Sequence, residues 1–483
     1  MQKDQDILEA VLAEFQEIAK IPRKSGHEEK ISQYLFDVIK AMGLKVEQDK
    51  KFNIIAEKPA TEGFENMPVT ILQGHMDMVC VAAEGVNFDP LKDSIQVRRN
   101  AQYLYAEGTS LGADDGIGVA EILYILKAEF AHGPLRAIIT VDEEQGMSGS
   151  IALDPKYLAA KYLINCDSEN YDVVTVSSAG SVNIDFLRRP VWRDPLYKAA
   201  YQITVKGLLG GHSGEAINCG RANAIQTLAL ILQKMQGMGI DFELADFTGG
   251  MARNAIPAKA SAVILIKPDN TKKMDQLLQD FKIDFQHIYG NVEKTLKIDL
   301  TIIDQPKDVL SKEDQDNLIR LLCVLHTGVY SMSQSIPNLV EASANLGIVE
   351  TKQNAINVQF FPRSAIDSKV SEFKQLAQVI SELTGFHLTF GSQSPGWAEK
   401  LESKLVPLMT SVFEEQNKQP MKVEIIHAGL ECGWFFQKNS DLDMVSIGVT
   451  AIGIHSPEEK IELATVAPQV KLIMETLTRL KNV

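Results

Sequence analysis

Apolar side chains recur at helical spacing from the start of the chain. Ile7, Leu8, Val11, Leu12, Phe15 and Ile18 predict a first helix, which Pro22 ends. Tyr34, Leu35, Val38, Ile39 and Met42 predict a second. Ser25-Gly-His-Glu28 before it fits a capping box, and His27 is read as a surface or helix-start residue. Short apolar runs then alternate with one further helical pattern. Asn53–Ala56, Val69–Val79, Tyr103–Ala106, Leu135–Val141 and Tyr162–Asn165 read as strands, and Gly116–Phe130 as a helix. Strand, helix and strand in alternation predict an α/β domain built on a mixed, mostly parallel sheet flanked by helices.

The texture changes near Val182. Val182–Leu187 and Tyr201–Val205 alternate as half-buried strands do. Gly207–Gly214 is a glycine-rich turn, followed by a long helix over 222–235. Further strands are expected at 261–266, 296–302, 344–349, 357–361 and 387–390, with helices at 274–281, 317–325 and 370–383. None of these strands ends in acids, which suggests an inserted α+β domain. The expected division is 1–183 for the first part of the catalytic domain, 184–397 for the insert and 398–483 for the second part. The last stretch carries a helix over 405–417, a Glu424–Gly433 run, an apolar Met444–Gly448 run and a final helix over 466–480.

Charge and cysteine content narrow the function classes. The 483 residues carry a net charge of −15, which argues against non-specific nucleic-acid or anionic-membrane binding. Five scattered cysteines form no CxxC pair, so neither a disulfide framework nor a zinc knuckle is expected. The polar, acidic N-terminus lacks a signal-peptide core, and no apolar run is long enough to span a membrane. A cytoplasmic protein is the expectation.

Acids gather at the carboxyl ends of the predicted strands, where α/β sheets place ligands. His75-Met-Asp77 closes one strand; Asp114-Asp115-Gly116 forms a turn before a helix; Glu143-Glu144 follows a third strand; Asp167 follows a fourth. Taken singly, each has a plain reading: a buried His–Asp pair, a helix-start acid, a solvated loop. Together they form a nitrogen and oxygen donor set for divalent cations, which close carboxylates need. On a strand, positions i and i+2 share a face, so Asp77 is placed to orient the His75 ring. His455, before Ser456-Pro457, supplies a second imidazole. Two divalent ions bring +4 against −3 from Asp114, Glu144 and Asp167. Glu143 is then free to act as a general base.

These motifs carry a resemblance. Gln-Gly-His75-Met-Asp77-Met, Leu-Gly-Ala-Asp114-Asp-Gly-Ile-Gly, Glu143-Glu144-Gln-Gly-Met, Asn-Cys-Asp167-Ser-Glu, Gly-Gly-His212-Ser-Gly, Arg-Asn254-Ala-Ile-Pro, His427-Ala-Gly-Leu-Glu431-Cys-Gly and His455-Ser-Pro span essentially the whole chain. The chain resembles the M20 metallopeptidase family, and within it the aminoacyl-histidine dipeptidases. The resemblance implies one metal held by His75, Asp114 and Asp167 and another by Asp114, Glu144 and His455, with Asp114 as the bridge. It implies two divalent ions, zinc first, with cobalt or manganese as alternatives. Asp77 becomes the orienter of His75, Glu143 the base that activates a water, and His212 a donor to the scissile carbonyl oxygen from an inserted lid domain. Asn254, Arg363, His427 and Glu431 become candidate substrate contacts. The implied substrates are dipeptides, including Xaa-His types such as β-alanyl-histidine; relatives in this branch often pair as homodimers, while patterning leaves dimer and monomer both open.

Three other readings compete. The Gly207–Gly214 turn lacks the Lys-Ser/Thr ending of a phosphate-binding loop. An M20 amidase acting on N-acyl amino acids shares the metal motifs; the long insert and the His427–Gly433 run favour dipeptides. A non-catalytic metal-bound scaffold would have lost Glu143 or a ligand, and all are present.

Overall fold

A computed structural model describes residues 3–334 and 339–482. The chain forms two compact units. One takes the chain up to Ser177, returns at Trp397–Ile425 and again from Leu430 onward; the other comprises Ser178–Gly396 and Ile426–Gly429. The second unit thus begins six residues before the expected Ile184 and also captures four residues from the last part of the chain.

The first unit is built on an eight-stranded sheet. Its spatial order is Lys45–Gln48, Ile54–Lys58, Leu135–Thr140, Thr70–His75, Tyr162–Asn165, Asp443–Ser446, Val173–Ser178 and Lys422–Ile426. The four strands from Leu135–Thr140 to Asp443–Ser446 pair in parallel. Their neighbours on either side pair antiparallel, so the sheet is mixed. Thr70–His75 is buried at all six positions, as a central strand covered on both faces must be. That explains its unbroken apolar run. Lys45–Gln48 alternates between exposed and half-buried positions at the sheet edge, and its polarity hides it from a hydrophobicity reading.

Helices Asp4–Ala19, Ala113–Lys127 and Leu463–Arg479 bury Phe15, Ile122, Leu123, Val470 and Ile473 in the main core of this unit. Ala113–Lys127 is buried along nearly its whole length, so it shows no apolar stripe. Truncating a fully buried side chain such as Phe15 to Ala costs about 3–5 kcal/mol.

The expected capping box does not form. The second helix runs over Glu29–Ala41, and no side chain caps it. Ser25 is buried and hydrogen-bonds Asp77, while Glu28 accepts from the backbone N–H groups of Gly26 (2.7 Å) and Asp142 (3.1 Å). Both residues are drawn away from the helix to pack beneath acidic strand ends.

The second unit holds a nine-stranded antiparallel sheet. Its long central strands are Val340–Lys352 and Ala355–Ser364. Helices Ala224–Gly237, Lys312–Val324 and Asp367–Thr384 pack their apolar faces into one core with it. Thr271–Tyr289 is longer than the expected helix: polar residues precede Met274, and the buried face continues past Phe281 to Phe285. Among the described residues, no helix is long and apolar enough to cross a membrane.

Candidate metal centre and a second polar cluster

The central strand ends of the first unit converge on one cluster. His75 closes its strand with its side chain 1% exposed. Its Nε2 lies 3.0 Å from Asp114 Oδ1 and 3.3 Å from Asp167 Oδ1. His455 Nε2 lies 3.0 Å from Asp114 Oδ2 and 2.9 Å from Glu144 Oε2. Asp114 therefore faces an imidazole with each of its oxygens. His75, Asp114 and Glu144 offer donor atoms within 4.8 Å of one another. The two halves differ in depth: the His455 side chain is 44% exposed.

The residues behind the donors fix their directions. Asp77 Oδ1 stands 3.3 Å from His75 Nδ1, the ring nitrogen turned away from the cluster. The same carboxylate accepts from the backbone N–H groups of Glu143 (3.1 Å) and Glu144 (3.2 Å). One buried acid thus orients both a histidine and the loop that carries the two glutamates. Asp115 is buried and points away from the histidine rings; its Oδ2 accepts from the His75 backbone N–H at 3.1 Å. Adjacent in sequence, the two aspartates do different work.

Protonation follows the crowding. Burial alone would lower His75, but the Asp167 charge and hydrogen bonds to Asp114, Asp167 and Asp77 raise it well above the usual imidazole value. Hydrogen bonds to Asp114 and Glu144 raise His455 to about 11. Burial opposes the ionisation of Asp114, yet hydrogen bonds to both histidines hold it below the ordinary carboxylate range. Asp167 and Glu143 are pushed up, first by burial and then by neighbouring acids. Such a cluster draws positive charge inward, and imidazole nitrogens beside carboxylates are the donors divalent zinc, cobalt or manganese accept. The donor set fits two such ions.

Glu431, expected as a substrate contact, lies in the first unit, among the central strands. It is fully buried, and its Oε2 accepts from Gln73 Nε2 (2.7 Å) and Thr140 Oγ1 (2.6 Å). The sequence around it gives no sign that these central-strand side chains bind it within the unit. Burial raises its carboxyl to about 7.

The remaining candidates lie in the second unit. His212 sits on a two-residue bridge that pairs with Ala255–Ile256, and its Nδ1 is buried without a hydrogen-bond partner. Asn254 is exposed on the facing turn, and its carbonyl accepts from Ser213 N–H at 2.8 Å. Asn345 holds that turn through the carbonyls of Arg253 (2.9 Å) and Ala255 (2.8 Å). His427 Nε2 lies 2.7 Å from Ser343 Oγ. Burial, then the Arg363 charge, lowers His427 to about 4 and also lowers His212. Arg363 is buried, its guanidinium lies 4.6 Å from the Phe361 ring centre, and burial lowers it to about 10. No carboxylate lies within ion-pair distance of Arg363 among the described residues, so this cluster has a buried cation flanked by neutral histidines. Ser343 and Asn345 escaped the sequence reading, since polar residues in an apolar strand carry no local mark of their partners.

A family model described as peptidase family M20/M25/M40 matches residues 71–479. The chain belongs to this peptidase family. The cytosol non-specific dipeptidase of Escherichia coli (strain K12) is 35% identical over 468 residues, covering 96% of each chain. The crystal structure of aminoacylhistidine dipeptidase from Vibrio alginolyticus superposes with a TM-score of 0.91 at 33% identity, covering 97% of this chain and 96% of that one. Aminopeptidase PepT from Bacillus cereus shares the fold at a TM-score of 0.57 and 17% identity, covering 98% and 99% of the two chains.

Proposed function

We propose that the chain is a metal-dependent dipeptidase of the M20 family, active on dipeptides that include Xaa-His types and resident in the cytoplasm. The observation that carries this reading is the convergence of His75, Asp114, Asp167, Glu144 and His455 from distant parts of the sequence. The names of the two relatives above support the substrate class.

His75, Asp114 and Asp167 would hold one divalent ion, and Asp114, Glu144 and His455 the other, zinc being the first candidate. When bound, such ions polarise a carbonyl and make a water acidic enough to yield a nucleophile near neutral pH. Glu143 takes the proton from the attacking water and returns it to the leaving amine. Its backbone N–H on Asp77 holds it beside the donor cluster without spending its carboxylate as a ligand. Asp77 keeps His75 in the tautomer whose Nε2 faces the acids. His212 of the second unit, which burial and then the Arg363 charge keep toward neutrality, is the proposed donor to the carbonyl oxygen as charge develops there. Arg363, which has no carboxylate within ion-pair distance among the described residues, binds the substrate carboxylate with Asn254 and His427.

The test is hydrolysis of a dipeptide panel, with β-alanyl-histidine among its members, after metal removal and refilling with zinc, cobalt or manganese. Free amino acids should appear only in the refilled samples. Release of acetate from acetylated amino acids with no dipeptide cleavage would replace this reading with that of a deacylase.

A further inference from the structure

Glu459 stands four residues beyond His455, is 2% exposed, and is not a member of the donor cluster. Its carboxylate meets four consecutive backbone N–H groups. Oε2 accepts from Leu111 (2.8 Å) and Gly112 (3.0 Å), and Oε1 from Ala113 (2.7 Å) and Asp114 (3.4 Å). These belong to the loop and first turn that present Asp114. Arg23 grips the same loop from its carbonyl side. Its Nη2 donates to the Gly112 carbonyl, and its Nη1 donates to the carbonyls of Met76 (3.0 Å) and Asp77 (2.9 Å). Gly112 is left-handed at φ +67°, and a Cβ there would meet Arg23 Nη2 and Met78 Sδ, each at 2.5 Å. A side chain there would displace the Arg23 guanidinium and the Met78 thioether.

We propose that Glu459 is a positioning residue for the metal centre: by gripping the Leu111–Asp114 backbone it fixes the bridging aspartate in the orientation that receives both ions. The proposal rests on the metal-site reading above. A carboxylate is a costly choice for a mere helix cap, because it adds a buried negative charge near the acidic cluster. A neutral Asn or Ser satisfies orphan N–H groups without that cost. Four N–H donors on two oxygens compensate the charge and leave the loop almost no freedom. The short segment from His455 to Glu459 also supplies one donor to the cluster and the grip on another. The Glu459 N–H bonds the Ser456 carbonyl at 3.2 Å, and Ser456 Oγ donates to the Gly453 carbonyl at 2.6 Å. His455 and Asp114, 3.0 Å apart, are therefore referenced to one another through a few hydrogen bonds.

The experiment uses the full-length, metal-stripped protein and its Glu459→Gln variant, titrated with zinc and with manganese in the absence of substrate. The amide turns two hydrogens toward N–H donors, so the grip weakens with little change in size. The affinity for metal should fall about 10- to 100-fold. Hydrogen exchange of the 111–114 amides in the metal-free variant should quicken at least about tenfold. Glu458→Gln, its exposed neighbour, should move neither readout. Faster exchange with unchanged metal affinity would reduce Glu459 to a cap and overturn the proposal. So would free-solution exchange of these amides in the wild-type protein, a measurement that holds even if the variant does not fold. Because no substrate is present, a failure to cleave dipeptides would sink the functional reading without touching this one.

Discussion

The two units solve opposite charge problems. In the first, three carboxylates and two imidazoles crowd together, and the acids raise both His75 and His455 above the usual imidazole range. In the second, a buried guanidinium has no carboxylate among the described residues, and the histidines beside it are driven toward neutrality. One cluster wants cations and the other wants an anion. Each unit also secures its key loop with a buried glutamate. Glu459 grips the Asp114 loop, while Glu293 accepts from Leu209 N–H (2.9 Å) and Ala222 N–H (3.0 Å), the two ends of the excursion bearing His212. The lesson is that unmet charge, more than residue identity, separates a binding cluster from a structural one: Glu293 and Glu459 are satisfied, Arg363 is not.

The contrast can be broken most severely on the cationic side. Glu143→Gln should lower kcat by about 10³- to 10⁴-fold, since it removes the proton acceptor while leaving the donor cluster whole. Elemental analysis of the variant should still find wild-type metal content; near-normal turnover would end its assignment as base. On the anionic side, Arg363→Met should lower kcat/KM by about 30- to 1,000-fold, or roughly 2–4 kcal/mol, chiefly through KM. A substrate amidated at its C-terminus should already be poor for the wild type and should lose little more in the variant. Equal losses on both substrates would remove the carboxylate role.

The smallest effect concerns His427. Its folded-state value near 4 lies below the roughly 6.5 of an unfolded imidazole. As pH falls through 6.5 the unfolded chain gains a proton that the folded residue refuses until about pH 4. Stability present above pH 6.5 is therefore lost across that window, by at most about 3 kcal/mol. The difference in unfolding free energy between wild type and His427→Gln, followed by urea denaturation from pH 7 to 4, should shrink on acidification. A constant difference would mean the imidazole is not desolvated.

Much of this was legible in the sequence because parallel strands buried on both faces read as apolar runs, and acids at their ends stand out against them. His75, Asp114, Glu144, Asp167 and His455 converge as that pattern suggests. Ser25 and Glu28 misled because a capping box and a pair of residues packed under a strand end look identical in one dimension. The bonds of Glu431 were not legible because its partners Gln73 and Thr140 lie roughly 300 or more positions away, and sequence distance carries no mark of such bonds. Arg23 and Glu459 act on backbone atoms, which every residue has, so no side-chain motif announces them.

The small excursion of Ile426–Gly429 has a consequence for dissecting the molecule. The Ala179 N–H lies within hydrogen-bond reach of the carbonyls of Ile426 (3.1 Å) and Ala428 (3.0 Å), and Ser343 reaches His427. A fragment excised at 178–396 would leave behind an imidazole and two carbonyl acceptors that the chain supplies thirty residues after the cut. The insert is therefore not a portable cassette. Grafting it between peptidases, or expressing it for isolated binding studies, requires that short later segment to travel with it.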